Sequence, residues 1–194
     1  ADVIPTPSLP LRALDQLAAA GDVAIIGSLL VAWRHPYGAA VAMEARRQRP
    51  ELLQVELALL RTFASRAHRA ARAGDGAMRR FVARTIDMEN LRAAVVLSAH
   101  ETDVGLAAVF VEGGSLSTVE ALRLAARAYS DDTAPAALIA EFRHLALREP
   151  LSLAPVILFV LRLRAELRAL RRVVWSVSLG VPRDAIERSL GVAA

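Results

Sequence analysis

Apolar residues recur every three or four positions over most of the chain, which is the spacing of helices that bury one face. The stretch 51–73 shows it best, with Arg and Glu on the opposite face. Its apolar positions are Leu53, Leu57, Leu60, Phe63 and Ala67. No stretch reads convincingly as a strand. The pattern therefore predicts an all-α protein of about ten helices.

Gly, Pro and capping residues divide this pattern into elements. We expect Ser8, Asp22 and the box formed by Ser117 and Glu120 to cap helices, and the helix of 78–97 to be jointed near Asp87. A short element begins at Glu101 or Thr102 and ends at 110. The other predicted helices cover 9–20, 23–33, 39–48, 51–73, 78–97, 118–129, 135–148, 155–177 and 183–190.

The stretch 149–190 is predicted to be the organising element of the fold. Pro155 suits the first turn of a helix that runs without interruption to 177. Residues 156–161 are apolar on all sides, so we expect them to be buried. The second half carries an apolar stripe that we also expect to face the core: Leu163, Leu167, Leu170 and Val174.

Composition supports closely packed helices. Hydrophobic residues make up 55% of the chain, aromatic residues only 5%, and there is no Cys. A core rich in Ala, Leu and Val favours helices over strands. Without Cys, disulfides and thiolate metal sites are excluded. No apolar run reaches the ~18–20 residues of a membrane span.

The charge balance leaves two interpretations open. The net charge is +4 and the pI about 10.8, and all 24 basic residues are Arg, because the chain contains no Lys. One interpretation is a basic surface for nucleic acid. The other is a compositional bias, which the scarcity of Gly and aromatic residues among the arginines favours.

No pattern indicates a catalytic or metal site. The four His residues lack metal-binding spacing. They are His35, His68, His100 and His144. The Asp131–Asp132 pair is followed by residues that break the Asp-rich metal motif of isoprenoid enzymes. The pair Gly113–Gly114 lacks the Lys of a phosphate-binding loop. We therefore expect no enzymatic activity, no cofactor and no metal.

Asp87 and Asn90 leave two readings open. The first is the cap of a new helical turn. The second is a pair of polar groups that tie helices together, since unpaired buried polar groups cost about 1–3 kcal/mol each.

Four motifs in order across residues 11–190 carry a resemblance to a known family. They are a helix pair leading to a Tyr turn at 22–37, FVARTIDMENLR at 81–92, GGSLS at 113–117, and ELRALR at 166–171 followed by VPRDAIERSL at 181–190. This arrangement resembles the C/d subunit of vacuolar-type and archaeal-type rotary ATPases.

The resemblance implies a compact, funnel-like helical protein built from similar helical units. A loose echo of 87–103 in 166–184 agrees with such units, here 9–76, 77–130 and 131–194 of one domain (9–194) after a flexible leader (1–8). Family members are non-catalytic and lie at the cytoplasmic face of a membrane, where they join the proteolipid ring to the central stalk during ion transport. The residues implied in structure or interfaces are Asp87, Asn90, Arg92, Glu166, Arg168 and Arg171.

Several positions depart from the family pattern. Val96 and Ala169 stand where the family has Arg and Asn, and residues 176–177 replace a Gly-Lys pair. Family chains are also much longer, so we expect a diverged branch or a partial chain. The alternative function is a free-standing helical binding or regulatory protein that uses its Arg faces, with nucleic acid as one ligand.

Overall fold

The computed structural model describes residues 5–47, 51–99, 106–125 and 133–189. Within these ranges the chain forms helices and no strand, apart from an isolated bridge between Thr6 and Leu9. The prediction of an all-α fold is confirmed. The helices are α1 (Leu11–Ala19), α2 (Val23–Ala32), α3 (Gly38–Ala45), α4 (Leu52–Arg72), α5 (Gly76–Ala99), α6 (Leu106–Val109), α7 (Thr118–Ala125), α8 (Thr133–Arg148), α9 (Ala154–Ser178) and α10 (Arg183–Ser189).

Local caps set several of these boundaries. The Asp22 carboxylate accepts a hydrogen bond from the backbone N–H of Ala24 at the start of α2. Before α7, the Ser117 hydroxyl accepts from the Glu120 N–H and the Glu120 carboxylate accepts from the Ser117 N–H, which completes the predicted capping box. Those bonds to Ser117 lower the pKa of Glu120.

The predicted cap at Ser8 is wrong. Helix α1 begins two residues later than expected, and Pro10 occupies its N-cap position without a side-chain hydrogen bond. Before it, Thr6 and Leu9 exchange backbone hydrogen bonds in a tight turn. The predicted ends at 48, 129 and 190 and the start at Glu101 or Thr102 lie outside the described residues. The division into three helical units stays a prediction.

Helix α5 packs against five of the other described helices. It contacts α4, α6, α7, α8 and α9, whereas α2 and α3 form a hairpin that packs on α4. The expectation that 149–190 organises the fold is therefore wrong. Helix α9 is long, as its pattern predicts, but it packs mainly on α5 and α8, whereas α5 contacts five helices.

The core consists of four clusters of small and branched side chains. One joins α5, α8 and α9 around Phe142, which is fully buried and packs edge-to-face on Phe81 with ring centroids 6.1 Å apart. Another fills the space between α4, α5 and the segment after α6, around Ile86 and Val111. The remaining two join α4 to α5, α6 and α7, and α2 to α3 and α4.

Helix α9 buries only one side of its N-terminal half. Ile157 and Leu161 contact the core, whereas Val156, Phe159 and Val160 are exposed, so the expectation that 156–161 is buried on every side is wrong. The stripe predicted to face the core is exposed as well, and Leu170 is 61% exposed. Helices α5 and α8 cover one side of α9, and the described residues place no element on the other. None of the helices in the described ranges is both long enough and apolar enough to cross a membrane.

Candidate functional site

Two buried polar side chains on α5 hold the segment that connects α6 to α7. Asp87 and Asn90 are 3% and 1% exposed, and because they lie three residues apart they share one face of the helix. The Asn90 Nδ2 donates to the carbonyl oxygen of Val111, and its Oδ1 accepts from the N–H of the same residue, each at 2.9 Å. The side-chain amide thus pairs with one backbone residue as a neighbouring strand would.

Asp87 binds the same segment further along. Its Oδ1 accepts from the backbone N–H groups of Ser115 at 2.7 Å and Leu116 at 2.9 Å. The Ser115 hydroxyl donates to Oδ2 at 2.5 Å. With the two bonds of Asn90, five hydrogen bonds fix 111–116 on α5, and we call this arrangement the α5 clamp.

Glycine is required where this segment approaches α5. A Cβ atom at Gly114 would overlap the Oδ1 of Asp87, so only glycine lets the backbone come close enough to the carboxylate. Gly113 has a φ of 106°, a conformation that side chains disfavour, and a Cβ there would overlap the His68 ring on α4. The Gly pair seen in the sequence therefore serves the clamp.

A chain of charges links the clamp to α8. The Arg84 Nη1 lies 3.6 Å from the Oδ2 of Asp87 and donates to the Ser115 hydroxyl at 3.2 Å. Its Nε donates to Glu141 on α8 at 3.0 Å. Since a buried carboxylate is costly without compensation, Arg84 and three hydrogen bonds supply what Asp87 needs.

The structure decides between the two readings of Asp87 and Asn90. Helix α5 runs unbroken from Gly76 to Ala99, so the predicted joint near Asp87 is wrong. Neither side chain caps a turn, because their partners lie 21 to 29 residues further along the chain. They act as polar ties between a helix and a loop.

The arginines singled out in the sequence lie in a groove between α5, the start of α8 and α9. Arg168 and Arg171 line it from α9 together with Arg164, and Arg92 lines it from α5, around a volume of about 340 Å³. Glu89 lies on the same wall and pairs with Arg92 at 3.6 Å. We call this the arginine groove. Glu166 is exposed and does not line it, so the structure does not bring it to Arg168 and Arg171.

The sequence reading missed Asp75, which joins α5 to α9. Its Oδ1 accepts from the Met78 N–H in the first turn of α5, and its Oδ2 accepts from the Leu153 N–H just before α9 at 2.6 Å. The Leu153 bond, followed by that of Met78, lowers the pKa of Asp75. Its place in Gly-Asp-Gly, three residues before Met78, was the available signal for the first bond. No local pattern predicts the second bond, because Leu153 lies 78 residues further along the chain.

The described residues contain no group of three or more side chains suited to a metal ion. His35, His68 and His144 lie apart on different elements, and His100, Asp131 and Asp132 fall outside the described ranges. The α5 clamp provides hydrogen bonds, which suit holding a backbone segment in place. The arginine groove provides positive charge, which suits binding acidic groups.

A comparison with family models identifies the class of protein. The model of the ATP synthase (C/AC39) subunit matches residues 1–138. The chain belongs to this family. No curated protein matches the chain. The family resemblance read from the sequence is confirmed, and the chain is a subunit of the vacuolar- and archaeal-type rotary ATPases.

The family match includes the whole α5 clamp, from Asp87 to Leu116, but not the α9 side of the arginine groove. Helix α9 lies beyond the matched residues. The family is that of a non-catalytic ATP synthase subunit, which fits the absence of a catalytic pattern in the sequence. Roles for Glu166, Arg168 and Arg171 stay predictions from the C-terminal motif.

Proposed function

We propose that this C/AC39 subunit couples the central stalk of a rotary ATPase to the proteolipid ring, at the cytoplasmic face of the membrane. Membership of the family, given by the match over residues 1–138, is the observation that carries the proposal. In this role the chain passes torque between two partners. It needs no substrate, cofactor or metal of its own.

The α5 clamp supports a mechanical role. A coupling subunit must keep its shape under load, and loops are usually the least rigid parts of a fold. Here the loop between α6 and α7 is fixed to the central helix by five hydrogen bonds, and Arg84 extends the connection to Glu141 on α8. Force applied to this loop therefore reaches two helices directly.

The arginine groove supports docking on a partner. Arg164, Arg168 and Arg171 follow one side of α9, and Arg92 faces them from α5. Guanidinium groups bind carboxylates through two parallel hydrogen bonds, and positive charges are favourable near the C-termini of helices. We assign this groove to an acidic segment or the carbonyl end of a helix in a stalk or ring subunit.

The test is an affinity pull-down of the tagged chain from the native membrane fraction, with and without detergent. Recovery of proteolipid or stalk subunits is the expected result. Recovery of nucleic acid, in an amount that falls as the salt concentration rises, would favour the alternative of a free-standing binding protein. Recovery of no partner would contradict the coupling role.

Paired variants of one helix test the groove. Arg168→Glu places a negative charge in the groove and should reduce recovery of the partner. Arg162→Glu makes the same charge change on an exposed side of α9 that does not line the groove, and should leave recovery unchanged. Equal recovery with both variants would refute the assignment of the groove.

A further inference from the structure

A second cavity lies between α4 and the segment 107–113, and it shares no residue with the arginine groove. Its volume is about 780 Å³, which is within the range of about 300–1,000 Å³ typical of small-molecule sites. The lining residues of α4 recur on one face of the helix. They are Arg61, Ala64, Ser65, His68, Arg69 and Arg72. We call this the α4 cavity.

The wall of the α4 cavity is basic. Arg61, Arg69 and Arg72 line it, and Glu112 is the one acidic residue among the lining residues. Three guanidinium groups against one carboxylate leave a net charge of +2. A phosphate group esterified once carries a charge of about −1.5 to −2 at neutral pH. The charge of the wall therefore matches that of one such group.

The guanidinium groups of Arg69 and Arg72 are available to a ligand. Both residues are exposed, and neither pairs with a carboxylate in the part of the chain that the structure describes. Because they lie three residues apart, they project from the same side of α4. Arg61 is held at the edge of the cavity, since its Nη2 donates to the carbonyl oxygen of Ala108 at 2.7 Å.

His68 adds a polar atom that the fold leaves unsatisfied. Its Nε2 is buried and has no hydrogen-bond partner among the described residues. The ring lies against Gly113, and both residues line the cavity. Buried polar atoms nearly always have a partner, so an orphaned one at a cavity wall indicates a bound ion or water. This observation is independent of the arginines and indicates the same cavity.

We propose that the α4 cavity binds a phosphate-bearing ligand, with Arg69 and Arg72 as its principal contacts. Guanidinium groups bind phosphate through two parallel hydrogen bonds, and the Ser65 hydroxyl on the same face is a further donor. The cavity is much larger than one phosphate group, so it also has room for the rest of the ligand, against the half-buried Phe110. A soluble nucleotide and a lipid headgroup both present this chemistry.

Titration calorimetry of the full chain with inorganic pyrophosphate tests the site. We expect a dissociation constant below about 1 mM. Arg69→Gln and Arg72→Gln should each raise it about tenfold, because each removes charge-assisted hydrogen bonds to the phosphate. Arg66→Gln is the matched control, since it removes the same charge from an exposed residue of α4 that does not line the cavity. It should leave the constant within about twofold.

A change of shape without a change of charge tests the position of the ligand. Ala107 is exposed and lines the cavity, so Ala107→Phe should fill part of it and weaken binding about tenfold. Ala108→Phe adds the same ring at the next residue of α6, outside the cavity, and should leave binding unchanged. In nuclear magnetic resonance spectra, pyrophosphate should shift the ring signals of His68 but not those of His144 on α8.

Two further measurements distinguish the sources of the phosphate group. ATP that displaces pyrophosphate, without retention of the chain on vesicles, would identify a soluble nucleotide. Retention on vesicles of phosphatidylcholine with phosphatidic acid, but not of phosphatidylcholine alone, would identify a lipid headgroup. In either case Arg72→Gln should weaken the binding and Arg66→Gln should not.

The proposal is overturned if pyrophosphate, ATP and the phosphatidic acid vesicles all fail to bind. Equal weakening by Arg66→Gln and Arg72→Gln would overturn it as well, because binding would then follow the overall charge of the chain. The site and the coupling role can fail independently. Arg168→Glu tests the arginine groove, and neither Arg69 nor Arg72 lines that groove.

Discussion

Replacing Asn90 by Ala should destabilise the fold more than any exposed substitution, because it removes the side-chain partner of two buried backbone groups. The Asn90 amide is the partner of the N–H and the C=O of Val111. Both residues are within 2% of full burial. After the substitution, the two Val111 backbone groups would lack a partner and have little access to water.

The magnitude follows from those two groups. Each buried backbone group left unpaired costs about 1–3 kcal/mol, so the pair costs about 2–6 kcal/mol. Ala is the better helix former, which returns up to about 0.7 kcal/mol within α5. We therefore expect Asn90→Ala to lower the free energy of unfolding by about 1.5–5 kcal/mol.

The assay is urea unfolding followed by far-ultraviolet circular dichroism, with the midpoint and slope compared between variants. Gln16→Ala is the control. It also shortens an amide side chain in a helix, but on the exposed face of α1, and should change stability by no more than about 0.5 kcal/mol.

A loss below about 1 kcal/mol for Asn90→Ala would refute the reasoning. It would mean that water or a shifted loop satisfies Val111 and that the α5 clamp is not a major source of stability. An altered slope without a change in midpoint would instead indicate a change in the unfolded state.

Three further predictions use the same unfolding assay. Leu161→Ala should cost about 2–5 kcal/mol because the side chain is buried, whereas the exposed Leu170→Ala should cost less than about 1 kcal/mol. Equal losses would show that the wrong face of α9 has been placed inside. Gly114→Ala should destabilise by about 1–3 kcal/mol, because its Cβ overlaps the clamp carboxylate, and an unchanged midpoint would show that the loop yields freely. Asp75→Asn should flatten the acid side of the stability profile: the pKa of Asp75 is lower in the folded chain than its ordinary 3.8, so its contribution is complete above that value and is lost as pH falls through the folded pKa. An identical acid limb in the two proteins would contradict that assignment.

Interactions within a few residues were predictable from the sequence. Asp22 caps α2 and Ser117 pairs with Glu120 before α7, because the partners of these groups are at most three residues away. The expected helix of 155–177 is close to α9, Ala154–Ser178, because Pro and Gly mark its ends. The all-α class and the family also followed from local pattern and motif order.

Tertiary structure decided which of these patterns are buried. The spacing of Leu163 and Leu170 fixes their angle around α9, but it is the same whether the core or another chain lies opposite. Asp87 and Asn90 carry no sign of which loop they bind, since that loop is brought to them by the packing of α6 and α7 on α5. Sequence determines the faces of each helix, because periodicity is local. What each face meets is determined by contacts between residues far apart in the chain.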